Sequence, residues 1–134
     1  MSEQENLRVV RNLFECFGRG DVPGLLGLLD EDVDWHIKGP DSVPYFGPRR
    51  GHEGALDFFG KLGASVEFES FAPEEFIPGG DKVVVIGGER GRVRATGKSF
   101  DNPWAMIFTL RDGKVTKFRS YEDTAAVAGA FEKQ

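Results

Sequence analysis

The stretch Gly97–Asp123, GKSFDNPWAMIFTLRDGKVTKFRSYED, decides how this chain folds. Phe100, Asn102, Trp104, Met106, Phe108 and Leu110 fall on one side of a period-two alternation. Asp101, Pro103, Ala105, Ile107 and Thr109 fall on the other. Such alternation, rich in aromatic and β-branched residues, predicts a half-buried strand. The Asp112-Gly113 pair predicts a tight hairpin turn. It returns the chain as a second strand, where Thr116, Phe118 and Ser120 alternate with Val115, Lys117, Arg119 and Tyr121. An asparagine and a tryptophan on an otherwise apolar face suggest the wall of a cavity, because a plain core has no use for the amide.

Working outward, Leu7, Val10, Phe14 and Phe17 form an amphipathic helical stripe that Gly18-Arg19-Gly20 ends. Asp21 is placed to cap a short second helix carrying Leu25, Leu26, Leu28 and Leu29. Val33 to Ile37 reads as a short strand, with Val33, Trp35 and Ile37 on one face. Residues 38–51 read as a loop with three prolines, and His52 to Leu62 as a third helix. Val66 to Ile77 reads as a strand that Pro73 marks as an edge or a bulge. Lys82 to Thr96 reads as a long strand bent at Gly87, Gly88 and Gly91, and Thr124 to Phe131 as a tail helix. Helices first and antiparallel strands after predict an α+β fold: a curved antiparallel sheet with helices on its concave face, enclosing one pocket.

The 134 residues are expected to form a single domain. With 17 basic and 22 acidic side chains, the net charge of −5 argues against nucleic acid or an anionic membrane as a partner. No apolar run approaches the roughly 20 residues of a membrane span. The opening MSEQENLRVVRNLF does not read as a signal peptide, so a cytoplasmic location is expected. The lone Cys16 sits at helical spacing from Leu13 and reads as a small buried hydrophobe. His36 and His52 share no ligand spacing with each other or with carboxylates, so neither a metal nor another cofactor is expected.

The segments DEDVDWHIKGP (30–40), YFGPRRGHEGALDFF (45–59), TGKSFDNPW (96–104) and RDGKVTKFRSYEDTAA (111–126) occur in an order that resembles the SnoaL-like branch of the NTF2-like superfamily. That superfamily includes ketosteroid isomerases, limonene epoxide hydrolases and polyketide cyclases. The resemblance implies a cone-shaped α+β barrel with one deep apolar pocket, and a homodimer packed through the convex sheet face. It also implies which positions would carry the known chemistries. In this chain they read Leu13, Ile37, Met106 and Ser120, none of which can replace the acids and bases of those enzymes.

The resemblance implies that the ligand pocket comprises Trp35, Asn102, Trp104, Met106, Phe108, Phe118 and Ser120, a mainly apolar lining with a few polar groups. His52, at a helix start, and Tyr45, in the proline-rich loop, are the candidate catalytic residues at its mouth. Glu122 alternates with Ser120 and could be a mouth carboxylate, while Glu89 to Arg94 reads as a solvated or interfacial strand face. Three functions remain open. One is a cofactor-independent isomerase, cyclase or hydratase acting on an apolar or polyketide- or steroid-like substrate. The second is a non-catalytic binding module for an apolar or weakly acidic ligand, and the third is a dimeric domain with a filled core. A cavity well under the usual ~300 Å³ would count against a small-molecule site.

Overall fold

A computed structural model describes residues 2–133. Helix α1 (Glu3–Arg19) opens with a capping box, in which Ser2 Oγ accepts from the Glu5 amide at 3.1 Å and the Glu5 carboxylate reaches back. It closes at Gly20, whose φ of 70° suits glycine. The short α2 (Val22–Leu26) is capped by Asp21. Strand β1 (Leu29–Ile37) follows, then β2 (Gly47–Arg50), α3 (Gly51–Ser65), β3 (Val66–Gly79), β4 (Lys82–Val93), β5 (Ser99–Arg111), β6 (Lys114–Glu122) and α4 (Thr124–Phe131).

The six strands form one curved, unclosed sheet in the order β2-β1-β6-β5-β4-β3. The β5–β6 hairpin lies at its centre, and its turn is built as expected, with positive φ at both Asp112 and Gly113. Every neighbouring pair is antiparallel except β1 with β6, which run parallel. Pro73 adjoins a register irregularity in β3, itself an edge strand where a missing amide donor is tolerated.

Three local expectations are corrected. Part of the proline-rich loop is strand β2, because Gly47–Arg50 hydrogen-bonds to the otherwise free edge of β1. Strand β1 begins at Leu29, so the acidic run Asp30-Glu31-Asp32 lies within a strand. A register shift between Thr109 and Leu110 turns Val115 into the core, whereas simple alternation set it opposite Phe118.

Trp35 pairs with Phe118 and Phe118 with Phe108, so both tryptophan-bearing strands present the same inner face. There Val33, Val83, Val85 and Phe108 are fully buried, as is Val10 of α1. Gly87 admits the Trp104 ring opposite it: a Cβ at position 87 would stand 2.8 Å from Trp104 Cη2 and closer still to the Ala72 carbonyl.

Candidate functional site: two carboxyls beneath an aromatic cavity

Between the inner sheet face and helices α1 and α3 lies a cavity with about 50 Å³ of free volume. Phe14, Phe17, Phe58, Phe59, Phe68 and Phe71 supply most of its rings, and Trp35, Ile37, Met106, Phe108 and Phe118 line it from the strands. Its polar lining comes from Tyr45, Glu89 and Glu122.

Glu89 stands opposite Asn102 in the β4–β5 pairing, and Glu122 opposite Trp104 in β5–β6. The Trp104 indole Nε1 donates to Glu89 Oε1 at 3.1 Å. Asn102 Nδ2 donates to Glu122 Oε1 at 3.0 Å, and Ser120 Oγ to Glu122 Oε2 at 2.7 Å. The Asp123 amide donates to Asn102 Oδ1 at 2.9 Å, which fixes the orientation of the asparagine amide. Burial, reinforced by the neighbouring Glu122 charge, pushes Glu89 up to about 8 against the opposing pull of Asn102 and Trp104. Burial also raises Glu122, with Ser120 and Asn102 again opposing. The pair therefore retains at least one proton near neutral pH.

Tyr45 is buried, and its hydroxyl is held well above the ordinary phenol range by burial and then by Glu89 and Glu122. The loop presenting it is clamped by Arg49. That guanidinium donates to the carbonyls of Tyr45 at 2.9 Å, Phe46 at 3.2 Å and Pro44 at 3.1 Å, and to the Asp57 carboxylate at 3.1 Å.

Of the residues expected at the pocket, Trp35, Met106, Phe108, Phe118 and Tyr45 line the cavity. Asn102, Trp104 and Ser120 are buried behind it and hold the two carboxyls. His52 is not among the lining residues. Its Nε2 lies 2.9 Å from the Leu29 carbonyl, tying the start of α3 to the start of β1. Glu89 is the residue the sequence reading assigned elsewhere. The alternation Val83, Val85, Gly87, Glu89, Gly91 places it inward, but the flanking arginines suggested a solvated face. Glu122 was legible from its alternation with Ser120. Among the described residues, no group of three or more His, Cys, Asp or Glu is arranged to hold a metal ion.

The SnoaL-like domain profile matches residues 10–118. The chain belongs to the SnoaL-like family. This SnoaL-like chain is 39% identical to an NTF2-like protein from Burkholderia xenovorans LB400, whose crystal structure superposes with a TM-score of 0.91 over 98% of this chain and 99% of that one. It is 26% identical to TerC, crystallised with polyporic acid, at a TM-score of 0.82 over 95% and 98% of the two chains. An uncharacterized protein of Mycobacterium tuberculosis H37Rv is 27% identical over 127 residues, 94% of this chain and 95% of that one.

Proposed function

We propose that this SnoaL-like protein is a cofactor-independent acid–base enzyme of the isomerase, cyclase or hydratase type acting on an apolar substrate. The observation that carries the reading is the Glu89–Glu122 pair at an aromatic cavity. A filled structural core has no need of two carboxyls whose burial costs stability. As acid and base they have distinct surroundings: Glu122 accepts from Asn102 at 3.0 Å and from Ser120 at 2.7 Å, which favour its carboxylate, whereas Glu89 accepts from Trp104 at 3.1 Å, is favoured by Asn102, and has its charge opposed by Glu122. In such a reaction the Glu122 carboxylate takes a proton from a carbon beside a carbonyl, while the Glu89 carboxyl donates to the oxygen. Reversal at a second carbon returns both protons and completes an isomerisation. TerC's co-crystal with polyporic acid supports a small organic molecule as the ligand.

The volume points the other way. At about 50 Å³ the cavity is far below the ~300 Å³ of ordinary ligand sites. A substrate therefore requires the rings of Phe14, Phe17, Phe59, Phe68 and Phe71, all only partly buried, to part. The deciding experiment incubates the protein with 2-tetralone in D2O and follows exchange of the acidic α-protons by NMR. Acceleration over buffer that Glu122→Gln abolishes supports the enzyme. Binding with exchange at the buffer rate indicates a binding module, and absence of binding indicates a filled core.

We further propose a homodimer through the outer sheet face. Ile86, Ala105 and Tyr121 occupy one row across β4, β5 and β6, and Ile86 and Tyr121 are exposed. Such a patch is a natural contact surface.

A further inference from the structure

The two tryptophans of the inner face differ in one respect. Trp104 spends its indole N–H on Glu89, whereas the Trp35 Nε1 is buried without any hydrogen-bond partner among the described residues. Trp35 is 2% exposed and its ring is fixed from several sides. It stacks on Phe118 at 4.0 Å between centroids and tilts against Phe58 and Phe59, each at 5.6 Å. These neighbours are all hydrocarbon rings and offer no acceptor. An unpaired buried donor is a cost that native structures rarely keep.

We infer that Trp35 is a ligand-positioning residue whose indole N–H donates to an acceptor oxygen of the bound molecule. This rests on the proposed small-molecule site and adds the class of molecule: an aromatic or otherwise flat apolar body carrying a carbonyl or enolate oxygen. The cavity that Trp35 lines is where such an oxygen can lodge. The rings take the apolar body, Trp35 takes the oxygen, and Tyr45, Glu89 and Glu122 are the remaining polar groups of the lining. The hydrocarbon analogue of the same shape leaves the N–H unpaired and is discriminated against.

The test compares acetophenone with α-methylstyrene, which replaces the carbonyl oxygen by a methylene and keeps the shape. The chain has two tryptophans, so the 15N-labelled protein gives two indole N–H signals, and Trp35→Phe assigns them. Acetophenone is expected to shift the Trp35 signal downfield, to leave the Trp104 signal nearly in place, and to bind about tenfold more tightly than α-methylstyrene. Trp35→Phe is expected to abolish the preference. If Trp35→Phe folds poorly, Trp104→Phe makes the same assignment, and the spectra of the unsubstituted protein then decide the matter. A Trp35 signal that does not respond at saturating acetophenone, or responds equally to both probes, overturns the inference. A Trp35 response without proton exchange on 2-tetralone upholds the inference while the enzymatic reading fails. Exchange on 2-tetralone with no preference for acetophenone does the reverse.

Discussion

Trp104 and Glu89 are joined across the β4–β5 pair by a 3.1 Å hydrogen bond from the indole Nε1 to the carboxyl Oε1. The bond fixes one carboxyl at the cavity and accounts for a tryptophan on a face that also carries an asparagine. Behind it Gly87 leaves room for the ring, so glycine, tryptophan and glutamate act as one unit spanning two strands.

Glu89 makes the protein less stable as pH rises. Its carboxyl titrates near 4.5 in the unfolded chain and at about 8 in the folded one, so between those values the native state holds the extra proton. The stabilisation is complete below pH 4.5 and is lost as pH climbs through 8. Glu122, also raised, acts in the same direction. Urea midpoints for Glu89→Gln are expected to vary less between pH 5 and 8.5 than those of the wild type. The difference should be on the order of 1–2 kcal/mol, because Glu89 and Glu122 titrate as a coupled pair and Glu122 remains in the variant. Parallel pH profiles would show that Glu89 is already ionised in the native state.

Asn102 serves two partners at once, as donor to Glu122 and as acceptor for the Asp123 amide. Asn102→Leu leaves that amide unpaired at the start of α4, where Asp123 is the cap. A loss of about 1–3 kcal/mol is expected in chemical denaturation. Faster amide exchange should appear in α4 before the sheet.

Arg49 holds Tyr45 in place by a fork that lysine cannot reproduce. Arg49→Lys is expected to keep the global fold while weakening acetophenone binding several-fold. Hydrogen exchange should locate the change in residues 43–49. Unchanged affinity would mean that the loop holds Tyr45 without the clamp.

The outer row of Ile86, Ala105 and Tyr121 is expected to lie within a two-fold interface. Light scattering at micromolar concentration should give twice the 14.8 kDa chain mass, and Ile86→Glu should return it to the monomer. A wild-type monomer under those conditions removes the dimer.

Alternation determined the two strands of the central hairpin, with Trp104, Met106 and Phe108 on one face, and the Asp112-Gly113 pair determined its turn, because side-chain direction in a strand is a local property with period two. The helices were equally legible from their apolar stripes, from the stop at Gly18-Arg19-Gly20 and from the cap at Asp21. What remained hidden depends on partners distant in the chain. Gly47–Arg50 is a strand only because β1 offers it an edge, and β1 runs parallel to β6 across more than 80 residues of sequence. Likewise, Glu89 sits among arginines and glycines that give it the look of a surface residue. Only the folded sheet brings it against Asn102, Trp104 and Glu122, in surroundings where its charge is disfavoured. Local pattern sets which way a side chain points; what it meets there is set by strand pairing, which a single stretch of sequence does not encode.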